Sequence, residues 1–199
     1  MKDLTPPACT AFAGAKRIAS GPLHRVALKA KAAFDRDKWT QVLIFDDITS
    51  EPIEVDFSGT VEDVARRISA KATAAPRSNP AEPRSPGRPK LGVVAREVTL
   101  LPRHWEWLAT QPGGASVALR KLVEHARVAN QGRDHKRRAQ ESAYRFMTAM
   151  AGNEPGFEEA LRALFAGNQK VFHQTVKPWP ADIRQHAQKL AAAAFAASE

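Results

Sequence analysis

The chain has 199 residues, 43% of them hydrophobic, and carries 30 Lys/Arg against 21 Asp/Glu, a formal net charge of +9. That length supports one or two domains with a real core, and its single cysteine excludes an intramolecular disulfide and a multi-cysteine zinc site. No apolar run reaches the ~18 residues of a membrane-spanning helix, the longest candidate being the short LAAAAFAA near the C-terminus.

MKDLTPPACT has no long apolar run behind Lys2, so no secretory signal is expected. With a mean hydropathy of −0.40, the chain reads as cytoplasmic, without a membrane partner. Residues 9–20 read as a hairpin, CTAF and KRIAS, around Ala13-Gly14-Ala15. Ser20 and Pro22 then open a helix whose apolar positions include Leu23, Val26, Leu28 and Phe34. TQVLIFDD has the length and continuity of a buried strand, and EPIEVDF alternates with Ile53, Val55 and Phe57 on one face. Thr60 with Asp63 forms a capping-box pattern ahead of a Val61/Val64/Ile68 stripe. The order ββαββα predicts a small α+β domain over residues 1–70. It would receive a small-molecule or protein partner, or complete the fold.

This domain holds Asp46, Asp47, Glu51, Glu54 and Asp56. General acid/base work by the Asp46–Asp56 carboxylates is one reading. The other is structural: Asp46, Asp47 and Glu51 bracket a turn, and Glu54 and Asp56 fill the polar positions of a strand.

Residues 71–90 form a Pro-rich linker, KATAAPRSNPAEPRSPGRPK. Its tail, Pro86-Gly87-Arg88-Pro89-Lys90, resembles an AT-hook core. The resemblance implies Arg88 lying along a narrow A·T minor groove with Lys90 beside it. From Arg84 to Arg138 the chain carries twelve Lys/Arg and four Asp/Glu, so nearly all of the net charge sits in one quarter of it. Such a concentration is the footprint of a site for a polyanion, nucleic acid first.

In residues 91–130, AREVTLLP reads as a strand stopped by Pro102, RHWEWLATQ as a helix, and Gln111-Pro112-Gly113-Gly114 as a break. Ser116 reads as the cap of a second helix, VALRKLVEHARVANQ, with Leu119, Leu122, Val123 and Ala126 as its core stripe. This strand-helix-helix resembles the ribbon-helix-helix DNA-binding family. The resemblance implies a homodimer whose paired strands enter the major groove, with a phosphate held at Gly114, Ala115 and Ser116 where helix amides point outward. The residues facing the bases are either Arg96, Val98 and Leu100 or Glu97, Thr99 and Leu101, because one residue of slip reverses the faces. Arg88, Lys90, Arg96, Arg120, Lys121, Arg127, Arg133, Lys136, Arg137 and Arg138 would neutralise phosphates. The other occupant of Trp105, Trp107 and Leu108 is the core of this chain itself.

Residues 131–199 read as a mainly helical region of four short helices: AQESAYRFMTAMAG, FEEALRALFAG, VFHQTV and, after Pro178-Trp179-Pro180, ADIRQHAQKLAAAAFAASE. Chemistry-bearing motifs are missing along the way. There is no GxGxxG, no GxxxxGK followed by Ser or Thr, and no GxSxG. Cys9 has no basic neighbour to activate it. None of the six histidines pairs at i, i+4 with another His or Cys. No catalytic, cofactor-binding or metal-binding residue is assigned.

TAFAGAKRIASGPL, the stretch from GRPKLGVV to KLVEHAR, RFMTAMAG, FEEALRALFAG and WPADIR together make the chain similar to a bacterial family of uncharacterised proteins over nearly its whole length. The expected function rests on the residues: a non-enzymatic, dimeric DNA-binding regulator or architectural factor. The alternatives are an antitoxin-like module that meets an acidic protein, and, third, an enzyme using the Asp46–Asp56 carboxylates.

Overall fold

The structure, a computed structural model, describes residues 8–73, 94 and 96–196. The chain is α+β and divides into two compact units, residues 1–75 with 132–199, and residues 76–131. The sequence reading separates 1–70 from 131–199; the structure instead packs both stretches into one unit. The reason is visible in the sheet. Its strands are apolar on both faces, and one face has no cover within the first seventy residues.

In this first unit β1 (Ala8–Ala13) and β2 (Lys16–Pro22) form the expected hairpin. Gly14 takes φ 53° in its turn, a left-handed conformation suited to a residue without Cβ. β2 runs directly into α1 (Leu23–Arg36), whose N-cap position is held by Pro22 rather than Ser20 and has no side-chain cap bond. β3 (Val42–Asp46) returns antiparallel to β1, giving the order β2-β1-β3. Cys9, Ala11 and Ile44 face α1 through Val26, Ala27 and Ala30. Phe12 and Phe45 point to the other face and enter the larger core with Phe146, Met147 and Ile183.

The expected fourth strand is absent. Residues 52–57 form only an isolated bridge, Pro52 with Phe45, followed by one bond from the Ile53 amide to the Ile44 carbonyl, 2.7 Å. Pro52 has no N–H to give to a ladder. The alternation nevertheless does its work: Ile53, Val55 and Phe57 pack on the α1 layer, and Phe57 stacks on Phe34 at 5.5 Å between ring centres. α2 (Val61–Thr73) follows. Its capping box is reciprocal, with the Asp63 amide donating to Thr60 Oγ1 (3.3 Å) and the Thr60 amide donating to Asp63 Oδ2 (3.0 Å).

The far face of the sheet is covered by helices. They are α5 (Gln131–Ala151), α6 (Phe157–Ala166), α7 (Gln169–Thr175) and α8 (Ala181–Ala196), the four that the sequence predicts. α5 starts earlier than AQESAYR and takes in the basic run GRDHKRR. Asn168 caps α7 by accepting from the Val171 amide. Trp179, fully buried, closes the layer and donates its indole N–H to the Pro155 carbonyl at 2.9 Å.

The second unit is a helix hairpin, α3 (Pro102–Ala109) and α4 (Gly114–Ala129), preceded by residues 96–101, which have no regular secondary structure. Pro102 occupies the first turn of α3, where its missing N–H costs nothing. Gly113 (φ 85°) and Gly114 (φ 77°) make the turn into α4. Only Leu108 and Ala118 of the hairpin are buried.

Candidate nucleic-acid interface

Arg88 and Lys90, with the AT-hook-like tail, lie outside the described residues. Arg96 and Thr99 are exposed in the segment before α3, and residues 96–101 form no strand with any other described residue. A single strand needs a ladder partner, and among the described residues none pairs with this segment, so the expected strand does not form here.

α4 begins two residues earlier than Ser116. Gly113 is its N-cap, and Ser116 sits inside the first turn. Gly113 has no side chain to cap with, and the first turn holds no acid. The expected capping role of Ser116 is therefore corrected. Gly114, Ala115 and Ser116 still share that turn, whose amides have no side-chain acceptor.

On α4, Ser116, Arg120, Val123 and Arg127 recur at i, i+4, i+7 and i+11, which places them on one stripe. Arg120 Nε donates to the Ser116 carbonyl at 3.1 Å. Arg127 donates to Glu124 through Nε (3.1 Å) and Nη2 (2.7 Å). Those bonds lower the Glu124 pKa below the ordinary carboxylate value and raise that of Arg127. Arg127 thus brings a partly compensated charge. Lys121 lies about 100° around the helix and lines a shallow depression with Trp107, Pro112 and Leu122. The structure joins Arg120 to Arg127 and separates Lys121 from both.

Arg133, Lys136, Arg137 and Arg138 stand in the first half of α5, in the other unit. Arg137 pairs with Asp134 at 3.1 Å and reaches Glu141 at 4.0 Å. Arg138 is exposed and belongs to no ion pair among the described residues.

The core stripe expected on α4 is not buried within the chain. Leu122 and Val123 are exposed, Val123 at 64%, and so are Val98, Leu101, Trp105, Trp107 and Val128 of the same unit. Trp105 and Trp107 are therefore not core residues of this chain; Leu108 is.

The acidic residues of the first unit are occupied locally. Asp46 Oδ1 accepts from the amides of Ile48 and Thr49, both at 2.8 Å, and from the Thr49 hydroxyl. Asp47 accepts from Thr10 at 2.6 Å and from Lys189 at 3.4 Å. Asp56 caps the Ser58 turn and pairs with Arg67. Glu51 and Glu54 are exposed. Among the described residues no group of three or more His, Cys, Asp or Glu is arranged to hold a metal ion, and no helix is long and apolar enough to cross a membrane.

Two features escape the sequence reading. Trp39 is 98% exposed, in the turn between α1 and β3. His186, on α8, is 1% exposed, and neither ring nitrogen has a hydrogen-bond partner among the described residues. A single aromatic in a polar turn and a single histidine on an Ala-rich helix carry no periodic signal that would announce either.

A family model described as "Uncharacterized protein conserved in bacteria (DUF2239)" matches residues 8–191. No curated protein and no solved structure matches the chain.

Proposed function

We propose that this chain, which belongs to the uncharacterised bacterial family DUF2239, is a non-enzymatic cytoplasmic DNA-binding protein that acts as a homodimer, as a transcriptional regulator or architectural factor. One observation carries the reading: the second unit leaves its large apolar side chains uncovered while bearing the basic stripe of α4. A hairpin with two buried residues cannot hold itself together by apolar burial. A second copy supplies what is missing. Its residues 96–101 give the segment before α3 a ladder partner, and its Trp105, Trp107 and Leu122 cover their counterparts. The resemblance to ribbon-helix-helix proteins supports the same arrangement, with Arg96 and Thr99 on the ribbon, Gly114 and Ser116 at the phosphate, and Arg120 and Arg127 beside them.

The antitoxin-like alternative draws on the same exposed tryptophans, with an acidic protein in place of the second copy. One experiment separates the two. Fluorescence anisotropy of the full chain with random and A·T-rich duplexes, across a salt series, gives a log–log slope of about −4 or steeper if several phosphates are neutralised together. Light scattering of the same sample gives twice the chain mass. A folded monomer without affinity for duplex at low salt overturns the DNA reading.

A further inference from the structure

Trp39 sits in a turn built to hold it outward. The Asp37 carboxylate accepts from the Trp39 amide at 3.0 Å and from the Thr40 hydroxyl, and the Gly14 amide donates to the Gln41 carbonyl at 2.9 Å. The turn is thereby tied to itself and to the β1–β2 hairpin. The ring nevertheless meets almost nothing of the chain, at 98% exposure. An indole presented in water by an ordered turn can be covered without rearranging the backbone, which suits an anchor.

Three exposed cations share this end of the sheet. Lys38 precedes Trp39, Arg36 ends α1, and Lys16 faces Ala13 across the hairpin, next to the Ala13–Val42 pair. None of them belongs to an ion pair among the described residues. The neighbouring carboxylates are already engaged, Asp35 with Lys31 and Asp37 within the turn. The apolar area is one ring wide: the flanking residues are Lys38 and Thr40, and the adjoining turn is Gly14-Ala15. That is narrow for a lipid surface but sufficient for one flat base.

We propose that the Trp39 turn binds an unpaired nucleobase by stacking, with Lys16, Arg36 and Lys38 meeting the adjoining phosphates. The choice of nucleic acid as partner rests on the function proposed above; the site itself is on the other unit and is independent of the α4 stripe.

The test uses full-length protein with a short fluorescent oligothymidylate, a random duplex and anionic phosphatidylserine vesicles, for the wild type, Trp39→Ala and Trp39→Phe. The ring is exposed, so neither variant disturbs the core. The expected result is a loss of about tenfold or more in oligothymidylate affinity for Trp39→Ala, most of it restored in Trp39→Phe, with duplex affinity unchanged. Oligothymidylate binding by Trp39→Ala equal to wild type overturns the proposal. So does Trp39-dependent vesicle binding without oligonucleotide binding. Duplex binding with a Trp39-insensitive oligothymidylate removes this site alone. Trp39-dependent oligothymidylate binding without duplex binding removes the α4 reading alone, and binding to neither removes both.

Discussion

His186 and Phe146 lie with ring centres 4.5 Å apart in the core between the sheet and the helices, and Phe12 closes on the same imidazole at 5.5 Å. Among the described residues no donor or acceptor reaches either nitrogen. Burial, then the Lys189 charge, push the His186 pKa down from 6.5 to about 4; Asp47 pulls it back, and Arg17 adds to the lowering. The unfolded chain takes up this proton near pH 6.5, the folded chain only near pH 4. Between those values the unfolded state binds more protons, so stability falls as pH drops through the window, by at most about 3 kcal/mol from this group. Urea unfolding at neutral pH and in the mid-acid range measures it. His186→Phe keeps the aromatic packing and flattens that part of the profile.

Cys9 behaves as a core residue. It is fully buried at the sheet–α1 contact, and its thiol donates to the Gly21 carbonyl at 3.4 Å. Burial, then the nearby Asp47 and Asp46 charges, push its pKa up to about 11. Thiolate is the reactive form. Native protein is expected to resist a thiol reagent at neutral pH and to react stoichiometrically once unfolded in urea. Rapid labelling of the native protein contradicts this placement.

Asp46 is a turn residue by its bonds. Asp46→Ala removes the acceptor of two amides and a hydroxyl at the end of β3, with an expected loss of about 2 kcal/mol. Ser50, which follows in the same turn at φ 54°, hydrogen-bonds Ser142 of α5 at 2.8 Å. The turn therefore ties the sheet to the helical layer, and its loosening is read by the denaturation midpoint. A midpoint that does not move contradicts the turn role.

Arg120 and Lys121 are neighbours in sequence on different sides of α4. If the basic stripe with Ser116 and Arg127 meets the phosphates, Arg120→Ala lowers the salt slope of duplex binding by about 1, and Lys121→Ala leaves it unchanged. Equal effects from the two variants would show that the whole helix surface, rather than the stripe, meets the DNA.

Local signals in the sequence carry through to the structure. The Thr60/Asp63 capping pattern, the β1–β2 turn at Gly14 and Pro102 at the start of α3 are where the residues place them, and the four C-terminal helices all form, α5 with an earlier start. What fails is non-local. Alternation says that Phe12 and Phe45 share a face, but it does not say that α5 and α8, more than a hundred residues away in sequence, cover it. The α4 stripe is amphipathic, yet periodicity is silent on whether the cover comes from the same chain. Ser116 loses the cap because two glycines, free to take positive φ, start the helix sooner. Of the proposed interface, the basic charge is visible in composition, whereas the split between Arg120 and Lys121 needs the helix start.

The division of the first unit around the second has a consequence for synthesis. A nascent chain exposes the Phe12 and Phe45 face as soon as β3 leaves the ribosome, and Phe146, Trp179 and Ile183 arrive only after the whole second unit has been made. Until then the sheet's second face stays wet and sticky, and a chain stopped after α4 displays it permanently. Of the described elements, the β1–β2 hairpin is made first and is among the last to be sealed.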